Sequence, residues 1–114
     1  MESKEEVAPQ RVKEGNFKIG EYNLEIKKNT VRINYESIAH IHRFVITINT
    51  EKKTVKYRRY QYSQKMIGFD EHLKDNDLNN IIENVKKAIK EKEDKYIDNI
   101  ISIVIRMFNK ENEF

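Results

Sequence analysis

A chain of 114 residues offers one domain's worth of core, and the absence of cysteine excludes a disulfide framework, a thiolate nucleophile and a zinc–thiolate site. Charged residues make up 36% and hydrophobic residues 38%, with a net charge of +3. That net value hides an asymmetry: residues 1–69 hold 14 Lys and Arg against 8 Asp and Glu, hence +6, and residues 70–114 hold 8 against 11, hence −3. A basic first part and an acidic last part can steer an anionic partner to one side, or help two copies meet.

Residues 1–16 are charged, almost free of apolar side chains and carry Pro9, the only proline. They are expected to form a disordered lead-in. No basic stretch followed by an apolar one marks a secretory signal there, so a soluble, cytoplasmic protein is expected. The most hydrophobic window, residues 100–105, is far shorter than a bilayer span and is flanked by Asp98, Asn99 and Arg106. No membrane partner is expected.

Residues 17–19 read as a short strand ended by Gly20. Tyr22, Leu24 and Ile26 then alternate with polar residues, as do Val31, Ile33 and Tyr35 after the polar turn at residues 27–30. Period-2 alternation of this kind is the mark of half-buried strands, here a hairpin. Ile38 is expected to open the longest strand, with His40, His42, Phe44, Ile46 and Ile48 on one face and Ala39, Ile41, Arg43, Val45 and Thr47 on the other. Both faces are partly apolar from Phe44 onward, which predicts a central strand covered on both sides. Residues 49–53 turn the chain, residues 54–62 return, and Met66, Ile67 and Phe69 form a possible last strand. The sheet therefore has four to six strands.

From Asp77 the period changes. Leu78, Ile81, Val85, Ile89, Lys92, Tyr96, Ile100, Ile103 and Met107 recur at steps of three and four, with Asp77 or Asp75 as N-cap. One helix over residues 77–109 would be about 50 Å long at 1.5 Å per residue, longer than so small a sheet can cover. Its second half is apolar almost all round. Either the chain breaks near Glu93 and Asp94 and folds back, or a second chain covers Tyr96, Ile97, Ile100, Ile101, Val104 and Phe108. The second outcome, a homodimer through residues 94–108, is favoured. A strand over residues 100–105 is a further alternative.

The run NLEIKKNTVRINY, the junction YESIAHI, a second hairpin and a helix beginning DLNNIIENVKKAI together resemble the small bacterial pleckstrin-homology-like domains. In those domains strand pairs form a bent sheet capped by one C-terminal helix. The resemblance covers residues 17–92 and rests on element order. It implies a PH-like sheet-plus-helix domain over residues 17–93; the helical extension expected over residues 94–114 is extra to such domains. It also implies a binding or scaffolding module rather than an enzyme, and it carries no ligand over.

Residue chemistry points the same way. Asp70, Glu71 and His72 are adjacent, but no nucleophile accompanies them, and Gly15, Gly20 and Gly68 are too scattered for a phosphate loop. No cofactor is expected. His40 and His42 have the spacing of two metal ligands on a strand, but no third ligand is nominated, so no metal is expected. The basic run is the better candidate: Lys52, Lys53, Lys56, Arg58, Arg59 and Lys65 occur with no acid between them, interleaved with Tyr57, Tyr60 and Tyr62. Lys56, Arg58, Tyr60 and Tyr62 are expected on one face. Cations interleaved with aromatics suit single-stranded nucleic acid; the same residues also suit a protein or other anionic partner, or a plain solvated sheet face. The expectation is an α+β domain that acts as a non-enzymatic interaction module, with nucleic-acid binding as the alternative.

Overall fold

The computed structural model describes residues 12–62 and 64–111. Most of the expected lead-in, residues 1–11, lies outside them. The fold is α+β: one six-stranded antiparallel sheet in sequential order, with two C-terminal helices on one face. The strands are β1 (Gly15–Ile19), β2 (Tyr22–Lys27), β3 (Thr30–Glu36), β4 (His42–Asn49), β5 (Thr54–Gln61) and β6 (Gln64–His72). The helices are α1 (Asp75–Glu91) and α2 (Lys95–Glu111). The narrowest dimension, 21 Å, is that of two layers.

Alternation decides what each layer holds. The register aligns Leu24, Ile33, Ile46, Tyr57 and Phe69 in one row across β2 to β6. All five are buried beneath the helices. Each buried side chain of this size contributes about 1.5–3 kcal/mol. The helices answer with stripes at helical spacing: Leu78, Ile81, Ile82, Val85 and Ala88 on α1, and Ile97, Ile100, Ile103 and Val104 on α2.

The helical region is two helices, the fold-back outcome of the two left open for residues 94–108. Lys92 adopts a left-handed conformation (φ 58°, ψ 38°), and its N–H donates to the Ala88 carbonyl at 2.8 Å, ending α1. Residues 92–94 then turn the chain back. α2 crosses the sheet, and Phe108 packs edge-on to Tyr57 and Phe69. Ile97, Ile100 and Val104, expected at a subunit interface, are closed within the chain itself. Tyr96, Ile101 and Phe108 are partly buried against the same core. Half of the apolar side chains that pointed to a second copy are thus closed within the chain, and the other half are partly covered.

Three further expectations change. α1 begins at Asp75 after Lys74, which gives no side-chain cap, so Asp75 and Asp77 lie in the first turn and favour the positive end of the helix dipole. β1 begins at Gly15, so the sheet reaches into the segment expected to be disordered. The long strand does not start at Ile38: residues 38–40 form a short 3₁₀ turn with Ala39 left-handed (φ 71°, ψ 7°), and Ile41 is helical. Ser37 closes this turn, its N–H donating to the His42 carbonyl at 2.8 Å and its Oγ accepting from the His42 N–H at 3.0 Å. Ile38 therefore leaves the core face and is 95% exposed.

Candidate functional site

The second face of the sheet is uncovered among the described residues, contrary to the expectation of cover on both sides. Its only buried side chain is Val45, set between Asn34 on β3 and Arg58 on β5. The rest of this face is polar. One row runs Lys18, Asn23, Asn34, Val45, Arg58, Gly68; the next runs Glu25, Arg32, Thr47, Lys56, Asp70; a third runs Glu36, Arg43, Tyr60, Lys65.

The structure divides the predicted basic residues into three groups. Lys56, Arg58, Tyr60 and Lys65 share the open face. Arg59 points to the helix side, where its Nη1 donates to the Tyr57 hydroxyl at 3.3 Å. Lys52 and Lys53 lie in the β4–β5 turn, shaped by Asn49, whose Oδ1 accepts from the N–H groups of Glu51 and Lys52 at 3.0 and 2.8 Å. Lys53 is paired with Asp75 at 2.8 Å. Tyr62 does not continue the face: it enters the β5–β6 turn with φ 53° and is 69% exposed.

A residue that the sequence reading did not nominate completes the open-face group. The Arg43 guanidinium lies 4.2 Å from the centre of the Tyr60 ring, a cation–π contact across the β4–β5 pair. Period-2 alternation placed Arg43 on a face, but only the cross-strand register places it against Tyr60.

Two cations converge at Gly68. A Cβ on that glycine would lie 3.6 Å from Lys65 Nζ and 3.7 Å from Arg58 Nε, so its bare backbone leaves a shallow gap between them. Arg58 is held rigidly: its Nη1 donates to the carbonyls of Tyr57 and Phe69 and to Asp70 Oδ1 at 2.6 Å. That hydrogen bond holds the Asp70 carboxyl below its ordinary value and raises Arg58. Asp70 thus answers part of the positive charge. Among the described residues neither Lys56 nor Lys65 is in an ion pair, so both stay available to an anion.

The two-histidine reading loses its geometry. Ala39 and Ile41 break the extended backbone, so His40 and His42 no longer sit two apart on one strand. No group of three or more His, Cys, Asp or Glu converges as a metal site among the described residues. No described helix is long and apolar enough to cross a membrane.

What the fold and this face define is an α+β domain presenting one basic sheet surface. Comparison of the chain with family models, curated proteins and solved structures finds no match to any of them.

Proposed function

We propose that this protein is a non-enzymatic interaction module that takes an acidic segment of a protein partner on the open face of its sheet. The observation that carries this reading is the convergence of Lys65 and Arg58 over Gly68, with Lys56 and Arg43 in the flanking rows of the same uncovered face. A rigid sheet presents cations at fixed spacing, and the pinned Arg58 side chain loses little further freedom when an anion arrives. The resemblance in element order to pleckstrin-homology-like binding domains agrees with it, and cytoplasmic location goes with such a role.

Single-stranded nucleic acid is the second reading, and the cations favour it equally. It needs aromatic faces on which successive bases stack. Of the three tyrosines in β5 and its turn, Tyr57 is buried, Tyr62 leaves the face and Tyr60 already carries Arg43 on its ring. That difference favours the protein partner. Self-association through residues 94–108 is not part of the proposal, because Ile97, Ile100 and Val104 are closed off inside the chain.

A titration with a fluorescent Glu- and Asp-rich peptide and with a fluorescent single-stranded oligonucleotide, each at low and moderate salt, tests both. The expected result is salt-dependent peptide binding that Lys56→Glu and Lys65→Glu weaken. Oligonucleotide binding without peptide binding would favour the second reading. Binding of neither at low salt would remove both.

A further inference from the structure

At one end of the helix-side face, beside the start of α2, three aromatic rings stand together. Tyr22, Tyr35 and Phe44 occupy paired positions across β2, β3 and β4. Tyr35 and Phe44 are stacked with centroids 5.4 Å apart, and Tyr22 is tilted against both at 5.9 and 6.4 Å. The rings line a depression of about 330 Å³ whose other walls are Glu21, Asp94 and Asp98.

The backbone builds this arrangement. Gly20 turns β1 into β2 with φ +60°, and a Cβ there would lie 2.6 Å from Asp94 Oδ2. Only a residue without that atom lets the carboxylate settle over the turn. Asp98 lies one helical turn on, its N–H donating to the Asp94 carbonyl at 2.9 Å, and its Oδ1 accepts from the Tyr22 hydroxyl at 2.6 Å. Burial, together with Asp98 and Asp94, pushes the Tyr22 phenol above its ordinary value, so the ring stays a neutral donor.

Charge is unbalanced here. Among the described residues no cation is paired with Glu21, Asp94 or Asp98. Lys95, next along the chain, is held by Glu93 at 3.3 Å and by the Tyr96 ring at 5.3 Å. Asp94 and Asp98 lie at the N-terminal end of α2 and offset its dipole, Glu21 adds a third negative charge, and the aromatic rings that line the same depression offer a weakly hydrated cation apolar contact. The rings select among cations. A small metal ion keeps its water and gains little from an aromatic wall, whereas an alkylated ammonium is weakly hydrated and fits both walls.

We propose that this depression binds an alkylated ammonium cation, with its methyl groups against Tyr22, Tyr35 and Phe44 and its charge facing Asp94, Asp98 and Glu21. The site is on the other side of the sheet from the basic face and stands independently of the function proposed above. The cation comes either as a free quaternary ammonium ion or as the trimethylated lysine of a peptide.

The test is a titration of the full chain followed by amide NMR shifts, using choline, its neutral isostere 3,3-dimethylbutan-1-ol, and a peptide carrying trimethyllysine. The expected result is saturable shifts at Tyr22, Tyr35, Phe44 and Asp98 with both cations, and at least about fivefold weaker binding of the neutral isostere. Asp98→Asn keeps an acceptor for Tyr22 but removes a charge, and should weaken choline about threefold or more. Phe44→Leu should do the same through the ring, and thermal melting confirms that both variants fold. Tighter binding of the peptide than of choline assigns the source to a partner's side chain; equal or weaker binding of the peptide assigns it to a free quaternary ammonium ion. Equal response to choline and its neutral isostere, or no saturable shift with either cation, overturns the proposal.

Discussion

Two neighbouring rows of one sheet differ by a single residue step in every strand. Leu24, Ile33, Ile46, Tyr57 and Phe69 form the row beneath the helices, all nearly closed to solvent. One step along, Asn23, Asn34, Val45, Arg58 and Gly68 form a row over which no described helix packs. The same five strands thus carry both the core and the candidate binding face, on opposite sides. The difference teaches that stability and recognition are separable here residue by residue: one row is set by burial, the next by charge and by what a partner can reach.

The strongest way to break that comparison is to place a charge on the covered side. Ile100→Asp buries a carboxylate at a position with 0% exposure, and the expected loss is about 3–5 kcal/mol, enough to unfold a small domain. Urea denaturation followed by circular dichroism measures it. Light scattering of the wild-type protein should return a monomer mass if α2 is internal core. A dimer that Ile100→Asp turns into a folded monomer would restore the interface reading.

A smaller effect is expected at the rim between covered and open regions. Gly20→Ala forces a Cβ into a left-handed position 2.6 Å from Asp94 Oδ2. The backbone term alone is about 1–2 kcal/mol, and displacement of Asp94 adds to it. Because the Asp94 Cβ itself would lie 2.8 Å from the new methyl, Asp94→Gly rather than Asp94→Ala, added to Gly20→Ala, should recover the steric part, which a thermal-melt cycle resolves.

Smaller again is Tyr22→Phe, which removes the hydrogen bond to Asp98 and should cost about 0.5–1.5 kcal/mol at neutral pH. Its pH dependence has a definite sign. The folded-state phenol lies above its ordinary value of 10.0, so folding favours the neutral form. That contribution is present in full below pH 10 and is lost as pH rises through the folded-state value. The stability gap between wild type and Tyr22→Phe should therefore narrow in strongly alkaline solution. A gap constant with pH would mean that the hydroxyl is not held by Asp98.

The smallest effect on stability, and a large one on binding, belongs to the open face. Lys56→Glu with Lys65→Glu should change unfolding free energy by no more than about 0.5 kcal/mol. The same pair should weaken an acidic peptide about tenfold at low salt, and less at high salt. Peptide titration beside a thermal melt checks both in one preparation.

Much of this was legible in the chain. Period-2 alternation in residues 22–35 and 54–62 gave strands with the correct inward residues, and the helical stripe from Leu78 to Ala88 gave α1. The candidate face was legible in part. Lys56, Arg58 and Tyr60 follow from alternation within β5, but Arg43 joins them only through the β4–β5 register. The grouping of Tyr22, Tyr35 and Phe44 with Asp94 and Asp98 joins segments up to 76 residues apart, and no local pattern encodes that.

The sequence by itself determined the alternation of faces along β2, β3 and β5 and the apolar stripe of α1, because both periods are properties of a few adjacent residues. The tertiary structure decided where the elements stop. Ala39, Lys53, Tyr62 and Lys92 all have positive φ, and none is the glycine or asparagine that would announce such a conformation locally. Only Lys92 interrupts the apolar stripe at the turn, and its spacing carries on to Tyr96, so either a straight helix or a hairpin satisfies the pattern. The hairpin is chosen because folding α2 back onto the sheet buries Ile97, Ile100, Ile103 and Val104. That gain outweighs the roughly 1–2 kcal/mol of one left-handed lysine.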